Sequence, residues 1–224
     1  MKSFSSLKLL TFLAVLFLLN ASLQTSVFAT SPANLGVSPF GGPNSSANWV
    51  NNTSVAETGG FAMFVSTAPN GFGGVLYRGV NGLTLSQLKH LGFDIKMIST
   101  GGGSPSFAAG APRLSIILSN GVTLFPDPFY CSDITGKASA TMYVKFDVVT
   151  DGANCTVFAS TSGTTPVGSW TDVLTAYGDV SISLIFMIQD APNGTLYLGT
   201  MFAGCASISA PSQNSKLSIL GSCT

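Results

Sequence analysis

The sequence predicts an all-β protein, an antiparallel β-sandwich of jelly-roll type with about ten strands and two short helices. Short apolar or alternating segments recur at regular spacing from Phe61 onward, separated by Gly, Pro, Asn and Ser. An Asn-Gly pair at 120–121, between two apolar runs, is a strong hairpin signal. Capping boxes at 84–87 and 169–172 indicate where the helices begin. A closed β-barrel is the alternative architecture.

The first 29 residues are typical of a secretory signal peptide. Lys2 and Lys8 precede an apolar run at 9–19, which is too short to span a bilayer, and 27–29 ends in the small residue expected before a cleavage site. An uncleaved signal anchor is the alternative. We expect a mature chain that is exported and has no membrane span.

Residues 30–58 are predicted to form an extended N-terminal arm. This stretch is rich in Pro, Gly, Asn and Ser and has little apolar periodicity, with a short strand conceivable only near Trp49. Clear alternation begins at Phe61. We therefore expect the arm to be separable from a β-sandwich domain at 59–224.

Residues 169–203 form the unit around which the predicted sheet is organised. A helix begins at the Ser169 cap and ends at Gly178, which is expected in the left-handed conformation. The following run at 180–188 is apolar on both faces, which predicts a central, covered strand. An Ala-Pro-Asn-Gly turn at 191–194 then predicts a hairpin with 195–198.

Part of this pattern occurs earlier in the chain. Ala-Pro-Asn-Gly recurs at 68–71, which predicts a hairpin between strands at 61–65 and 75–77. A second helix is predicted from Thr84, with an apolar stripe formed by Leu85, Leu88 and Leu91.

Six further segments are predicted as strands. In one of them Met142, Val144, Phe146 and Val148 should face inward, and Tyr143, Lys145 and Asp147 outward. The segments are 93–97, 113–118, 122–125, 141–148, 155–158 and 216–220.

The order of several short motifs resembles that of uncharacterised exported β-sandwich proteins of microbes. The motifs are Gly82-Leu-Thr-Leu-Ser-Gln-Leu88, Gly92-Phe-Asp-Ile-Lys96, the glycines at 101–103, Pro112-Arg-Leu114, Ser169-Trp-Thr-Asp-Val-Leu174 and Tyr177-Gly178. The resemblance covers about half of the chain and implies a general shape similar to lectin-like jelly rolls. It implies no catalytic residue.

The four cysteines all lie after the signal peptide, and an even number in an oxidising compartment predicts two disulfides. Three pairings are possible. We favour Cys131 with Cys155 and Cys205 with Cys223, each closing a loop of about 20 residues and contributing roughly 3 kcal/mol.

Charge is scarce, at 8% of all residues. The mature chain keeps seven basic and nine acidic residues, a net charge of −2, without a basic cluster. Nucleic acid and anionic lipid are therefore poor partners. A neutral surface rich in Ser, Thr, Asn and Gly suits neutral contacts, either with glycans or with other proteins.

The inventory of reactive side chains argues against catalysis. His90 is the single histidine and is expected to be half-exposed on the first helix, and Glu57 is the single glutamate. Eight aspartates could in principle supply a glycosidase pair, but each also has a structural role in a strand, cap or turn. The glycines at 101–103 lack the Lys-Ser/Thr of a phosphate loop. We predict no enzyme and no cofactor.

One loop carries the candidate ligand site. It is stiffened by two prolines and presents Phe129 and Tyr130, with Asp127 and Asp133 beside them and Cys131 holding its end. The aromatic rings could stack on a sugar, and the two carboxylates could hold Ca²⁺. In the alternative, the aromatic side chains fold back into the core.

The sequence favours an exported, non-catalytic module that binds a glycan or another cell-surface component. A self-assembling subunit of a filament or surface layer is the first alternative, and a jelly-roll polysaccharide hydrolase or lyase the second. Self-association is compatible with either of the first two. Five asparagines satisfy the N-glycosylation sequon, with occupancy open: Asn44, Asn51, Asn52, Asn154 and Asn193.

Overall fold

A computed structural model of the protein describes residues 35–51, 61–99, 106–107, 111–160, 164–208 and 217–219. These ranges contain fourteen strands and two α-helices. Every paired strand runs antiparallel to its neighbour, in two sheets of seven strands. No helix in the described ranges has the length and apolarity needed to cross a membrane. The predicted signal peptide and the glycines at 101–103 lie outside them.

Sheet 1 has a strand order that departs strongly from the chain order, so it brings distant segments together. In spatial order its strands are β1 (Gly36–Gly41), β4 (Gly73–Arg78), β11 (Ile182–Gln189), β6 (Arg113–Leu118), β7 (Thr123–Phe125), β9 (Val157–Ser160) and β10 (Thr164–Gly168).

Sheet 2 is centred on the long strand β12. Its strands are β2 (Ser46–Asn51), β3 (Phe61–Ser66), β12 (Thr195–Gly204), β13 (Ala206–Ile208) and β14 (Leu217–Ile219), with β5 (His90–Ser99) between β12 and β8 (Val144–Asp147).

The core lies between the two sheets. Sheet 1 contributes Val75, Ile185 and Met187, and sheet 2 contributes Phe93 and Leu198, all fully buried.

Tyr77 ties the two sheets together. Its buried hydroxyl donates to the Gly92 carbonyl oxygen of sheet 2 at 2.7 Å. Burial, with a smaller contribution from Asp94, raises the pKa of the Tyr77 phenol well above its ordinary range. The antiparallel β-sandwich predicted from the sequence is confirmed.

The second predicted helix is present as α2 (Trp170–Tyr177), after a four-residue helix α1 (Val148–Asp151). Ser169 and Asp172 form the expected capping box. Hydrogen bonds from the Ser169 hydroxyl and backbone N–H lower the pKa of Asp172. Gly178 ends the helix at φ −53°, not in the left-handed conformation that we expected.

The first predicted helix is wrong. The Thr84 capping box forms, but only a single 3-10 turn follows, at Leu85–Gln87. His90 instead begins strand β5, and Leu91 belongs to the alternating buried set of that strand. A three-residue apolar spacing fits one 3-10 turn as well as a helix, so the stripe was ambiguous.

The two predicted Ala-Pro-Asn-Gly hairpins are also wrong, because each turn crosses between sheets. The turn at 68–71 joins β3 of sheet 2 to β4 of sheet 1, and that at 191–194 joins β11 to β12. Thr67 binds the second turn through its hydroxyl, which donates to the Ala191 carbonyl oxygen at 2.6 Å, and through its N–H, which donates to Gly194 at 2.9 Å. In contrast, the Asn-Gly turn does form the β6–β7 hairpin.

The strand predicted at 141–148 is confined to Val144–Asp147, and the expected alternation holds only over Val144–Phe146. Met142 is 67% exposed, and Val148 begins α1. Asp147, expected to face outward, is buried, because its carboxylate accepts from the Val149 N–H and so caps α1.

The described part of the predicted N-terminal arm is not an isolated coil. Residues 36–41 form β1, paired with β4 over six positions, and residues 46–51 form β2, paired with β3 over six positions. The pairing uses backbone hydrogen bonds at sheet edges, so it leaves little apolar periodicity in the sequence.

The predicted disulfide between Cys131 and Cys155 is present, with 3.9 Å between the two Cα atoms. Cys205 is buried and disulfide-bonded. Cys223, its predicted partner, lies outside the described residues.

Candidate functional site

The outward side of sheet 1 carries an unusually apolar set of half-buried side chains, which we call the aromatic face. β11 was predicted to be covered on both faces, yet its outward residues line an open groove. The register of the sheet aligns Leu76 with Phe186, and Phe125 with Phe158, on neighbouring strands. The members of the aromatic face are Phe40, Leu76, Ile117, Phe125, Phe158, Leu184, Phe186 and Ile188.

The groove lies at the β1 end of this face, where β1, β4 and β11 are adjacent. It has a volume of about 310 Å³ and is lined by Ser38, Pro39, Phe40, Leu76, Leu184 and Phe186. The Phe40 ring meets Phe186 edge-on with 6.1 Å between centroids, and Phe72, 40% exposed, lies 6.3 Å from Phe40. The Ser38 hydroxyl is the sole polar side-chain group in this lining.

Gly74 makes room for the Phe40 ring. It lies opposite Phe40 in the β1–β4 register. A Cβ at this position would collide with the Met187 carbonyl oxygen and would lie 3.0 Å from Phe40 Cζ. The absence of a side chain therefore lets the ring rest directly on the sheet.

At the opposite end of the aromatic face, Phe125 and Phe158 lie side by side on β7 and β9. The Arg113 guanidinium lies 5.8 Å from the centre of the Phe125 ring and forms an ion pair with Asp190 at 2.9 Å. A polar pair therefore borders the rings here.

The predicted loop joins this end through Tyr130. The Tyr130 ring, 38% exposed, packs against Phe158 at 4.7 Å and against Phe129 at 5.0 Å. Its backbone carbonyl oxygen accepts from the Thr156 N–H, and the adjacent Cys131 is bonded to Cys155. Two of the four predicted ligand residues therefore belong to one aromatic cluster.

The two predicted carboxylates have separate positions. Asp127, only 2% exposed, accepts from the Phe129 N–H at 2.8 Å and so caps the short turn at Pro128–Tyr130. Asp133 is exposed and accepts a hydrogen bond from the Asn154 amide. Asp133 and Asn154 thus offer polar groups on the surface, whereas the buried Asp127 stabilises the loop through its hydrogen bond. The Ca²⁺ site stays a prediction; within the described ranges no three His, Cys, Asp or Glu side chains group closely enough to hold a metal ion.

His90 belongs to a polar cluster elsewhere. Its Nδ1 lies 2.6 Å from Asp147 Oδ2, and Lys145 Nζ lies 3.6 Å from the same oxygen. The other oxygen of Asp147 accepts from the Leu91 and Val149 backbone N–H groups. These contacts join α1 to β5 and β8, which is a structural role.

The four described sequon asparagines are all exposed. Asn44 and Asn193 occupy turns with positive φ, of 53° and 52°, and Asn51 ends β2. Asn154 donates to Asp133 as described above. Asn52 lies outside the described residues, and occupancy stays a prediction for all five.

Comparison with known proteins gives a distant structural likeness only. No family model and no curated protein matches the chain. A family 11 carbohydrate-binding module from Clostridium thermocellum, solved in complex with a β-1,3-1,4-mixed-linked tetrasaccharide, is 19% identical over 74% of this chain and 85% of its own, with a TM-score of 0.40.

Two further solved structures are similar at the same low level. The family 11 module of the cellulosomal cellulase Lic26A-Cel5E of the same organism is 17% identical over 72% of this chain and 83% of its own (TM-score 0.39). A β-1,2-glucanase from Parabacteroides distasonis is 14% identical over 78% of this chain but only 24% of its own (TM-score 0.38). These values assign no role to any residue here.

Proposed function

We propose that this protein is an exported, non-catalytic module that binds a neutral glycan along the aromatic face of sheet 1. The observation that carries this proposal is the open, half-buried set of aromatic and aliphatic side chains running across the strands from Phe40 to Tyr130. Rings of this kind stack on the apolar C–H faces of sugars, and a partly apolar groove with few polar groups is typical of a binding site.

The dimensions of the face suit a chain-like ligand. Six strand spacings separate β1 from β10, which is roughly 29 Å. Phe186 on β11 and Phe125 on β7 are two strands apart, about 10 Å, a distance comparable to the repeat of an extended β-linked disaccharide. A linear oligosaccharide lying across the strands could therefore contact several rings in turn.

Polar groups border the rings. Arg78 is exposed on the same side of β4 as Leu76, and the Arg113–Asp190 pair lies beside Phe125. Near Tyr130, Asp133 and Asn154 are exposed; Asp133 is three residues from Tyr130 in sequence, and Asn154 is next to Cys155, which is bonded to Cys131. These groups can hydrogen-bond sugar hydroxyls while the rings supply contact area. A net charge of −2 after removal of the predicted signal peptide, together with an Arg113 that already pairs with Asp190, favours a neutral ligand over a polyanion.

The proposal is tested by affinity electrophoresis and calorimetry with soluble neutral polysaccharides, using mixed-linked β-glucan, xyloglucan and galactomannan as probes and polygalacturonate as the charged comparison. We expect at least one neutral polymer to bind. Phe186→Ala and Tyr130→Ala should each weaken that binding about tenfold or more, corresponding to roughly 1.4 kcal/mol of lost contact.

Tyr197→Ala is the matched control. Tyr197 is a half-buried aromatic residue on the outward side of sheet 2, where it packs on Phe64 at 5.2 Å. Its removal should leave glycan binding unchanged. Absence of binding to every neutral polymer, or an equal loss in all three variants with intact melting transitions, would contradict the proposal.

A further inference from the structure

Both edge strands of sheet 1 are blocked against further pairing. Pro39 lies in the middle of β1, and Pro166 lies in β10. Proline has no N–H to donate, so a proline in an edge strand prevents the addition of another strand.

On sheet 2, the β8 edge is protected in a different way. This strand has only four residues, and Lys145 is exposed on it. A short strand with a charged side chain is a poor template for pairing.

Strand β2 is the exception among the edge strands whose side chains are described. All six of its residues pair with β3, and its sequence, Ser-Ala-Asn-Trp-Val-Asn, contains neither proline nor charge. In the described part of the chain, β2 has no sheet neighbour on its other side. Among the described residues, its backbone groups on that side therefore form a regular edge that no neighbouring strand pairs with.

Trp49 provides a second, independent observation at this edge. Ala47 and Trp49 point to the same side of β2, since alternate residues share a face. Ala47 is buried, whereas Trp49 stays half-exposed where the sandwich ends. A partly exposed tryptophan at an open strand edge is typical of an interface residue.

We propose that β2 pairs antiparallel with β2 of a second copy of this chain, so that sheet 2 continues through a twofold axis into a dimer. The second copy offers an edge of the same length, and the uncharged strand meets no like charge when it faces itself. A twofold axis perpendicular to the sheet keeps the same face of both copies on the same side of the continued sheet. The two Trp49 side chains therefore lie on one side of the dimer, where each is covered by the other copy. In such a dimer the free edges of both β2 strands are paired with each other.

The experiment measures the mass of the full mature protein by light scattering and sedimentation over a dilution series. The protein is produced with its disulfides in a host without N-glycosylation, because Asn44 lies just before β2 and Asn51 is its last residue. We expect a dimer that dissociates on dilution. Asn48→Lys, an exposed change on β2, should raise the dimer dissociation constant at least tenfold, since two cations then approach across the axis. Thr165→Lys adds the same charge to the blocked β10 edge and should leave the dimer intact.

Hydrogen exchange of the wild-type protein supplies a measurement that needs no variant. Amides of residues 46–51 should exchange faster on dilution, in step with dimer dissociation. A wild-type monomer at the highest soluble concentration would overturn the proposal. So would a dimer that withstands Asn48→Lys but is lost in Leu184→Lys, because the contact would then lie on the aromatic face.

Discussion

Gly152 lies directly under the Trp170 side chain. A Cβ at residue 152 would lie 2.6 Å from Trp170 Cβ, closer than two carbon atoms can approach. Gly152→Ala should therefore lower the free energy of unfolding, by about 1–3 kcal/mol. Gly136→Ala is the control, since a Cβ there meets no atom within 4 Å. Urea denaturation of the two variants measures the difference, and equal midpoints would contradict this packing.

Trp170 itself is expected to be a structural residue. It is buried at the start of α2, as its position behind the Ser169 cap predicted. Trp170→Ala should lower the stability by about 3–5 kcal/mol, because removal of this buried ring leaves a large cavity at the start of α2. Phe72→Ala, at an exposed ring, should change it much less. A Trp170→Ala protein that kept its melting temperature but lost glycan binding would instead assign Trp170 to the site.

At the scale of the element, the stability that the cap at the start of α2 contributes should depend on pH. The pKa of Asp172 is lowered in the folded protein, so its cap stabilises fully above the unfolded-state value of about 3.9 and is lost as the pH falls through the lower folded value. The stability difference between wild type and Asp172→Asn should therefore be largest at neutral pH and shrink as the pH falls below the unfolded-state value. Urea midpoints across this range test the sign; a difference that grew in acid would contradict it.

Elements with a complete local signal were predicted well. The β6–β7 hairpin followed from Asn120-Gly121, and α2 followed from its capping box. Strands β1 and β10 were missed, because each is an edge strand held by backbone pairing, with a proline in the place of an apolar side chain.

The aromatic face could be predicted only in part. Tyr130 was identified from its stiff, disulfide-held loop, and β11 was recognised as apolar on both sides. Phe40 and Phe186 could not be connected, because β1, β4 and β11 become neighbours only through the strand order of the sheet. That order is set by contacts between distant segments, which no local pattern contains.

For the whole molecule, removal of the N-terminal strands should be costly. A chain that begins at Thr58 lacks β1 and β2, so it loses the twelve residue pairs that these strands form with β4 and β3 and uncovers buried residues such as Val65. We expect it to aggregate or to melt at a much lower temperature than the mature protein. The separable arm predicted from the sequence requires the opposite result, an unchanged melting temperature, and circular dichroism decides between the two.

The contact of Thr67, the residue just before the first Ala-Pro-Asn-Gly turn, with the second turn has a consequence for recognition. Thr67 joins the crossing from β3 to β4 with the crossing from β11 to β12, because its hydroxyl and backbone N–H both form hydrogen bonds with residues of the second turn. The strands that carry Leu76 and Phe186 are therefore held at one end by the same junction and also pair with each other. We therefore expect the floor of the groove to be ordered before any ligand arrives. Binding there should require little ordering of the protein, so the entropic penalty falls mainly on the sugar chain, and stiffer oligosaccharides should bind more tightly than flexible ones of equal length.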